Sequence, residues 1–273
     1  MSGPAGPVPV VIAGACGRMG RMLLSLVAAD PELRLVGAIE AAGHPDLGKD
    51  AGSLATGTAA GVAIAATLEA VAQPGAVLVE FTAPAPSLEH LRVVAQAKMA
   101  MVLGTTGFTP AEQGEIATLA KRAPCMRASN MSVGVTVLEA IVEEVARRLG
   151  DAFDVEVVEL HHRMKKDAPS GTALTLARAA ARGRAADLER WGVYGRQGIT
   201  GERPLAQIGV MSLRGGDVVG DHTVIFAGNG ERLELTHRAQ SREAFARGAL
   251  RAARWIAGRE PGLYAMRDVT GGV

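Results

Sequence analysis

Short apolar runs alternate with amphipathic stretches through the first half of the chain. Val10–Ala13 predicts a buried strand, and Leu35–Glu40 predicts a second one. Between them the apolar residues recur with the spacing of a helix. One face of this predicted helix carries Met19, Met22, Leu23, Leu26 and Val27. Asp30-Pro31 is expected to end that helix. This strand–helix–strand succession favours a parallel sheet with right-handed crossovers.

The same alternation continues to about residue 128. Three more strands are predicted, at Ala76–Phe81, Met101–Gly104 and Cys125–Ala128. Ser87–Ala97 predicts a helix, and the next helix is expected to start with Thr109 as its N-cap and Pro110 in its first turn. The predicted fold of this half is a Rossmann-type, doubly wound parallel α/β domain.

The pattern changes after Asn130. Val133–Leu149 predicts one long helix, and Phe153–His161 predicts a strand in which Val155, Val157 and Leu160 are set against Glu156 and Glu159. A polar segment and a helix rich in Ala and Arg follow, and Gly192–Gly201 predicts a loop. The remaining strands are expected at Ile208–Leu213, His222–Ala227 and Glu231–His237.

These later strands predict a second α/β domain with an open mixed sheet, which we expect to be largely antiparallel. A last helix, Arg242–Ile256, is expected to return to the first domain. The expected domains are therefore a dinucleotide-binding domain, residues 1–132 and 242–273, and a substrate-binding and oligomerisation domain, residues 133–241.

Composition narrows the function classes. Hydrophobic residues make up 48% of the 273 residues, charged residues 21%, and the net charge is +1. This is a globular composition with no global attraction for nucleic acid or an acidic membrane. We expect no transmembrane helix and no signal peptide, and the two cysteines, Cys16 and Cys125, indicate a reducing cytoplasm.

A glycine turn joins the first predicted strand and helix. Gly14, Gly17 and Gly20 have the spacing G-x-x-G-x-x-G. Glycines let the backbone approach a pyrophosphate closely, and the helix that follows offers unpaired N–H groups. The position of this turn favours a dinucleotide site over an ordinary tight turn.

Glu40 ends the second predicted strand, 20 residues after Gly20. An acidic side chain at this place in a Rossmann domain accepts hydrogen bonds from the adenosine ribose and repels a 2′-phosphate. The alternative is a solvated glutamate at a strand end.

Two further loops follow strands of the predicted parallel sheet. Gly104–Phe108 and Ser129–Ser132 are expected at its carboxyl edge, where ligands of such sheets bind. Their backbone groups suit a nicotinamide carboxamide, although either segment could be a loop without a ligand.

The segment Glu159–Thr172 carries the most chemistry. It contains two histidines, His161 and His162, and a group of basic residues. It ends in Ser-Gly-Thr at a predicted helix start, whose free N–H groups suit a carboxylate. Cations on one side and a helix N-terminus on the other favour a dianionic substrate over a solvated loop. We expect no metal, because no carboxylate cluster joins the histidines.

At these residues the chain resembles the 4-hydroxy-tetrahydrodipicolinate reductase family, also called dihydrodipicolinate reductases. The matching pieces, in order along the chain, are Gly14–Gly20, Phe81-Thr82, Gly104–Phe108, Asn130–Val135, Glu159–Thr172, Gly201–Arg203, Gly215–His222 and Glu231–His237. The resemblance implies NAD(P)H-dependent reduction of 4-hydroxy-tetrahydrodipicolinate in lysine and diaminopimelate biosynthesis. It also implies a cytoplasmic homotetramer assembled through the open sheet.

The resemblance implies roles for individual residues. His161 matches the family's proton donor/acceptor, and Lys165 its proton donor. Substrate contacts are implied for His162, Lys165, Ser170, Gly171 and Thr172. Dinucleotide contacts are implied for Gly14, Ala15, Cys16, Gly17, Arg18, Met19, Glu40, Gly104, Thr105, Thr106, Ala128, Ser129, Asn130 and Met131.

Three positions depart from the family pattern. Met164 replaces a frequent histidine, and Ala41 and Ala83 stand where some members carry arginine. Both missing arginines would be cations able to hold a 2′-phosphate. We therefore expect NADH to be preferred, with NADPH use possible.

Two other function classes remain as alternatives. A different two-domain dehydrogenase would need another catalytic constellation, and an aldehyde enzyme acting through a thiohemiacetal would need a cysteine nucleophile. Neither Cys16, in the glycine turn, nor Cys125, in a predicted strand, suits that role. A non-catalytic NADH sensor would usually bring a nucleic-acid-binding module, and no such sequence pattern is evident.

Overall fold

The computed structural model describes residues 6–271, so the expected domain ranges extend beyond it by residues 1–5 and 272–273. The chain divides into two compact units. The first runs up to Ser132 and resumes at Phe245, and the second is Val133–Ala244. In the described residues no helix is both long enough and apolar enough to span a membrane.

The strands and helices of the first unit alternate along the chain. Its strands are β1 (Val8–Ala13), β2 (Leu33–Ile39), β3 (Ile64–Ala65), β4 (Val77–Glu80), β5 (Ala100–Leu103), β6 (Pro124–Arg127) and β12 (Gly262–Tyr264). Its helices are α1 (Arg18–Ala28), α2 (Ala51–Thr56), α3 (Pro84–Gln96), α4 (Pro110–Leu119), α8 (Glu243–Ile256), which begins two residues before this unit resumes, and α9 (Met266–Val269).

The seven strands of this unit form one parallel sheet in the order β12-β6-β5-β4-β1-β2-β3. The order reverses direction between β1 and β4, as in dinucleotide-binding doubly wound folds. The central strands are apolar on both faces: all four residues of β4 and of β5 are buried. The predicted Rossmann-type domain is therefore confirmed.

Local sequence signals set several of these boundaries. The Thr109 hydroxyl accepts the N–H of Glu112, and the Glu112 carboxylate accepts the N–H of Thr109, which is a reciprocal capping box. Pro110 occupies the first turn, as predicted. Helix α1 ends at Ala28, just before Asp30-Pro31.

The second unit has a smaller sheet. Its helices are α5 (Val133–Leu149), α6 (Gly171–Gly183) and α7 (Leu188–Trp191), with a 3-10 turn at Gly150–Ala152. Its strands are β7 (Asp154–His161), β8 (Gly192–Val193), β9 (Ile208–Arg214), β10 (Gly220–Gly228) and β11 (Glu231–Ala239), in the order β11-β10-β7-β9-β8.

The open mixed sheet is confirmed, but the expectation that it is largely antiparallel is wrong. β10 pairs antiparallel with β7 and β11, whereas β9 pairs parallel with β7 and β8. The reason is the crossover through α6, which returns the chain to the same end of the sheet before β9. The predicted loop Gly192–Gly201 also begins with the short strand β8 rather than with a turn.

The faces of β7 differ from those expected from its sequence. Burial alternates with period two, so Val155, Val157, Glu159 and His161 share the buried face. Glu156 and Leu160 lie on the other face, which is only partly covered. The expected grouping of Leu160 with the valines was wrong, because alternation in a strand cannot skip a position. The consequence is a fully buried carboxylate, that of Glu159.

Candidate active site

The glycine turn of the first unit brings the start of α1 close to the backbone of Gly14. Gly14 has φ +65°, and the N–H of Gly17 donates to the carbonyl of Gly14. A Cβ on Gly20 would lie 2.1 Å from the Gly14 oxygen, so only glycine allows α1 to start this close to the turn. Arg18 and Met19 open α1, whose first-turn N–H groups lack intrahelical partners. The turn therefore presents backbone donors, as an anion site requires.

Glu40 lies directly beside this turn. Its carboxylate accepts the N–H of Cys16 at 2.9 Å through Oε2 and the N–H of Ala41 at 2.9 Å through Oε1. An ionised carboxylate has room for further donors at each oxygen. Glu40 thus both fixes the turn and keeps acceptor positions for hydroxyl groups.

Burial and two nearby carboxylates keep the Cys16 thiol protonated. Burial, and next the charges of Glu40 and Asp46, raise its pKa to about 11. The other cysteine, Cys125, is fully buried in β6, and burial raises its pKa to about 12. Neither environment favours a thiolate nucleophile, which removes support for the thiohemiacetal alternative.

Cations near the turn are held by Asp46. Its carboxylate lies 3.5 Å from Nη2 of Arg21 and 2.6 Å from Nζ of Lys49. The hydrogen bond from Lys49 is the main reason that the pKa of Asp46 is lowered. Cys16, His44 and Asp46 place three possible metal ligands within 4.8 Å of one another. The adjoining Arg21 and Lys49 disfavour a cation there.

The loops after β4, β5 and β6 meet the carboxyl edge of the parallel sheet. Gly104 follows β5, and a Cβ there would lie 2.2 Å from the Phe81 ring. Thr105 is buried and its hydroxyl accepts a hydrogen bond from the Ser87 hydroxyl at 2.9 Å, whereas Thr106 is exposed.

The loop after β6 is Ala128–Met131. Ala128 donates its N–H to the carbonyl of Leu103, and Met131 is buried. Ser129 and Asn130 lie between them. The predicted dinucleotide residues of this unit therefore occupy consecutive loops of one sheet edge.

A buried acidic group anchors the loop after β4. Glu80 is fully buried, and its carboxylate accepts the N–H and the hydroxyl of Thr82. Its second oxygen lies 2.6 Å from Nδ1 of His90, on α3. The sequence reading missed this pair, although an acidic residue ending an otherwise apolar strand was the available signal.

In the second unit, three pieces of the Glu159–Thr172 segment converge. His161 ends β7 and its Nδ1 lies 2.6 Å from Oε2 of Glu159. Ser170 caps the N-terminus of α6: its hydroxyl accepts the N–H of Ala173, and its own N–H donates to Glu159. Gly171 and Thr172 form the first turn of α6. Glu159 thus links the strand end to the helix start.

Arg214 completes this cluster from β9. Its Nη1 and Nη2 donate to the two oxygens of Glu159 at 2.8 and 3.0 Å. Burial opposes ionisation of Glu159, but hydrogen bonds from Arg214, His161, Ser212 and Ser170 outweigh it and lower the pKa to about 2. Glu159 is therefore ionised at neutral pH. The sequence reading missed Arg214 because its pairing with Glu159 depends on the register of β9.

His222, on β10, lies edge-on to His161 with 5.1 Å between ring centroids. Its Nε2 is 3.0 Å from the Ser170 hydroxyl oxygen. Burial, and next the charge of His161, lower the pKa of His222 to about 4. His222 is therefore a neutral polar group, and it was also missed, since nothing in its own strand marks it.

The cationic residues between His161 and Ser170 are less enclosed. His162 is half-buried and donates its N–H to the carbonyl of Val218. Lys165 Nζ lies 2.9 and 3.0 Å from the two oxygens of Asp167. The side chain of Met164 is 75% exposed, so the departure from the family's histidine falls on an outward-facing position.

Family models match both units. The model described as "Dihydrodipicolinate reductase, N-terminus" matches residues 8–131, and "Dihydrodipicolinate reductase, C-terminus" matches residues 134–270. The chain belongs to the dihydrodipicolinate reductase family. The matches cover almost all of the described residues, in agreement with the resemblance seen in the sequence.

Relatives with the family activity in their names align along nearly the full length. A 4-hydroxy-tetrahydrodipicolinate reductase from Anaeromyxobacter dehalogenans is 54% identical over 266 residues, covering 96% of this chain and 97% of the relative. One from Thiobacillus denitrificans is 52% identical, covering 97% and 98%. A solved dihydrodipicolinate reductase from Paenisporosarcina sp. TG-14, with dipicolinate bound, has a TM-score of 0.73 and 25% identity, covering 95% of this chain and 97% of that structure.

Proposed function

We propose that this chain reduces 4-hydroxy-tetrahydrodipicolinate to tetrahydrodipicolinate with NAD(P)H, in lysine and diaminopimelate biosynthesis. The hydroxyl group leaves as water, one hydride and one proton are added, and the cofactor is oxidised. The observation that carries the proposal is the placement of His161, beside an ionised glutamate, next to the N-terminus of α6. This joins a proton-transferring group to a carboxylate site.

The first unit binds the dinucleotide in this proposal. The turn Gly14–Gly20 and the start of α1 hold the pyrophosphate, because the absence of a Cβ at Gly20 and the free helix N–H groups provide space and donors. The Glu40 carboxylate accepts hydrogen bonds from the adenosine ribose hydroxyls. Backbone groups at Gly104–Thr106 and Ala128–Met131 orient the nicotinamide, which supplies the hydride when bound.

The second unit binds the substrate dianion. One carboxylate accepts N–H groups at Gly171 and Thr172, where α6 begins and its partial positive charge is greatest. His162 and Lys165 supply compensating donors. Lys165 is paired with Asp167, whose side chain is 66% exposed, and exposed ion pairs are weak. Lys165 can therefore exchange Asp167 for a substrate carboxylate.

His161 and Lys165 are the proposed proton donors. Hydride addition builds negative charge on the ring of the substrate, and a positioned acid contributes about 10²–10⁴-fold to its neutralisation. His161 is fixed by Glu159, whereas Lys165 lies on a more exposed segment. A positioned imidazole and a second cationic donor suit one proton transfer with charge compensation.

NADH is the preferred cofactor in this proposal. A 2′-phosphate would meet the negative charge of Glu40, and Ala41 and Ala83 offer no compensating cation. Asp46 pairs with Arg21 and Lys49 and so weakens their attraction for a phosphate, and the exposed Arg18 lies in the turn that holds the pyrophosphate. NADPH is used at lower efficiency.

The proposed assembly is a cytoplasmic homotetramer formed through the open face of the second unit's sheet. That face carries partly covered apolar residues of β7 and β9, including Leu160 and the 47% exposed Leu213. Sedimentation velocity measures the mass directly. A tetramer is expected, and a stable monomer at micromolar concentration would contradict this part of the proposal.

The activity is tested by following NADH absorbance after adding the condensation product of pyruvate and aspartate semialdehyde. We expect rapid oxidation by the wild type. Lys165→Ala should lower kcat by about 10²-fold or more and leave NADH affinity within about twofold. Lys166→Ala is the matched control, since it removes a neighbouring exposed lysine. Unchanged turnover in Lys165→Ala would refute the role of Lys165, and absence of turnover in the wild type would refute the proposed function.

A further inference from the structure

Glu159 is the most heavily bonded side chain of the second unit's site. Its carboxylate is fully buried and accepts hydrogen bonds from Arg214, from the N–H of Ser170 and from His161. A buried carboxylate is costly unless its oxygens are well paired. These partners come from β9, from the start of α6 and from the end of β7.

The ionised carboxylate dictates which nitrogen of His161 carries a proton. An ionised carboxylate only accepts hydrogen bonds, so Nδ1 of His161 must donate to it. Nε2 is then the atom that alternates between protonated and unprotonated states. That side of the ring passes close to Gly220, where a Cβ would lie only 2.9 Å from Nε2. The ring is therefore hydrogen-bonded at Nδ1 and packs against the backbone of Gly220 near Nε2.

Several structural elements contribute charged or titratable groups near His161. Glu159 is on its own strand, Arg214 is on β9, neutral His222 is on β10, and Lys165 with Asp167 lies in the following segment. Arg214 and Lys165 disfavour a second cation, and Glu159 is the negative group in contact with the ring.

We propose that Glu159 is a positioning residue for the reduction: it holds His161 with Nδ1–H bound to its carboxylate, so that Nε2 exchanges the proton with the substrate. The kinetic consequences of this inference rest on the proposed function. The position of the proton on Nδ1 of His161 does not, because it is a property of the protein without substrate. Arg214 acts on His161 only through Glu159, because its two hydrogen bonds keep the Glu159 carboxylate ionised and in place.

Glu159→Gln tests this inference. We expect kcat to fall about 10- to 100-fold, less than the 10²–10⁴-fold that a positioned acid contributes, because the imidazole itself remains. KM also rises, because Ser170 loses a charged acceptor, and NADH affinity stays within about twofold.

Glu156→Gln is the matched control. Glu156 lies on the same strand, faces the other side and is also paired with arginines, Arg196 and Arg203. Its loss should leave the tautomer of His161 and kcat unchanged. Glu159→Asp keeps the charge and should retain the Nδ1–H form of His161 even where kcat is only partly recovered.

Nitrogen-15 NMR of the histidine rings separates this inference from the proposed function, since it needs no substrate. In the wild type, Nδ1 of His161 should be protonated across the neutral range, and in Glu159→Gln the neutral ring should populate the Nε2–H form. An unprotonated Nδ1 in the wild type would overturn the inference. A merely structural role for Glu159 would lower the melting temperature of Glu159→Gln but leave the tautomer of His161 unchanged. That outcome would also overturn the inference.

Discussion

The Ser170 hydroxyl is hydrogen-bonded to Nε2 of His222, with 3.0 Å between the two atoms and a separation of 52 positions in sequence. Ser170 also caps α6 through the N–H of Ala173. One hydroxyl therefore joins the helix start to the central part of the sheet. A buried neutral histidine is part of the support of the proposed carboxylate site.

This histidine should make stability depend on pH. Its pKa is about 4 in the folded protein, because of burial and the charge of His161, against about 6.5 in an unfolded chain. Between these values the unfolded chain binds more protons, so the free energy of unfolding falls as pH is lowered from about 6.5 to about 4. The full effect is on the order of 3 kcal/mol. Urea denaturation across this range should show a flatter dependence for His222→Gln; an identical slope would contradict the assignment.

Asp46 should set part of the cofactor preference. Asp46→Asn removes the carboxylate that pairs with Arg21 and Lys49, which increases the attraction of both cations for a 2′-phosphate. The ratio of kcat/KM for NADPH to that for NADH should rise about 2- to 5-fold, the size of an exposed charge interaction. Glu115→Gln, which breaks a surface pair with Arg92 in the same unit, should leave the ratio unchanged. A ratio that stays constant in Asp46→Asn would show that these cations lie outside the reach of the phosphate.

Gly20→Ala should weaken dinucleotide binding. The new Cβ would lie 2.1 Å from the Gly14 oxygen, which forces the turn and α1 apart. We expect at least about a 10-fold weaker NADH affinity by calorimetry, together with lower stability. Gly114→Ala is the control: nothing lies within 4 Å of its new Cβ in α4, and it should stabilise the fold by about 0.5–1 kcal/mol. Normal NADH affinity in Gly20→Ala would refute the pyrophosphate site.

Cys16 should react slowly with thiol reagents despite its partial exposure. Its pKa of about 11 leaves little thiolate at pH 8, and Glu40 and Asp46 contribute to that shift after burial. Glu40→Gln should therefore accelerate labelling by Ellman's reagent in the native protein. Equal labelling rates in the variant and the wild type would show that the charge of Glu40 does not protect the thiol.

Much of the first unit could be predicted because its signals are local. The glycine turn, the N-cap at Thr109 and the apolar runs of β4 and β5 each specify their structure within a few residues. Short elements with weak patterns were missed: α2, β3 and β12 span six, two and three residues. β12 is placed at the sheet edge by pairing with β6, which is a long-range contact.

The site was predicted as a segment but not as a network. His161, Lys165 and Ser170 stood out because they are close together in sequence. Glu159 was grouped with the wrong face of its strand, and Arg214 and His222 join it through sheet pairing across more than 50 residues. Such partners depend on strand register, which local periodicity does not fix.

Hydride transfer to the ring of the substrate is the central claim, and isotope transfer tests it most directly. The wild-type protein is incubated with 4-hydroxy-tetrahydrodipicolinate and NADH deuterated at both C4 positions, and the product is analysed by mass spectrometry. The account predicts tetrahydrodipicolinate carrying one carbon-bound deuterium, formed in step with cofactor oxidation and strongly reduced in Lys165→Ala. Cofactor oxidation without deuterium in the product, or no oxidation at all, would contradict it.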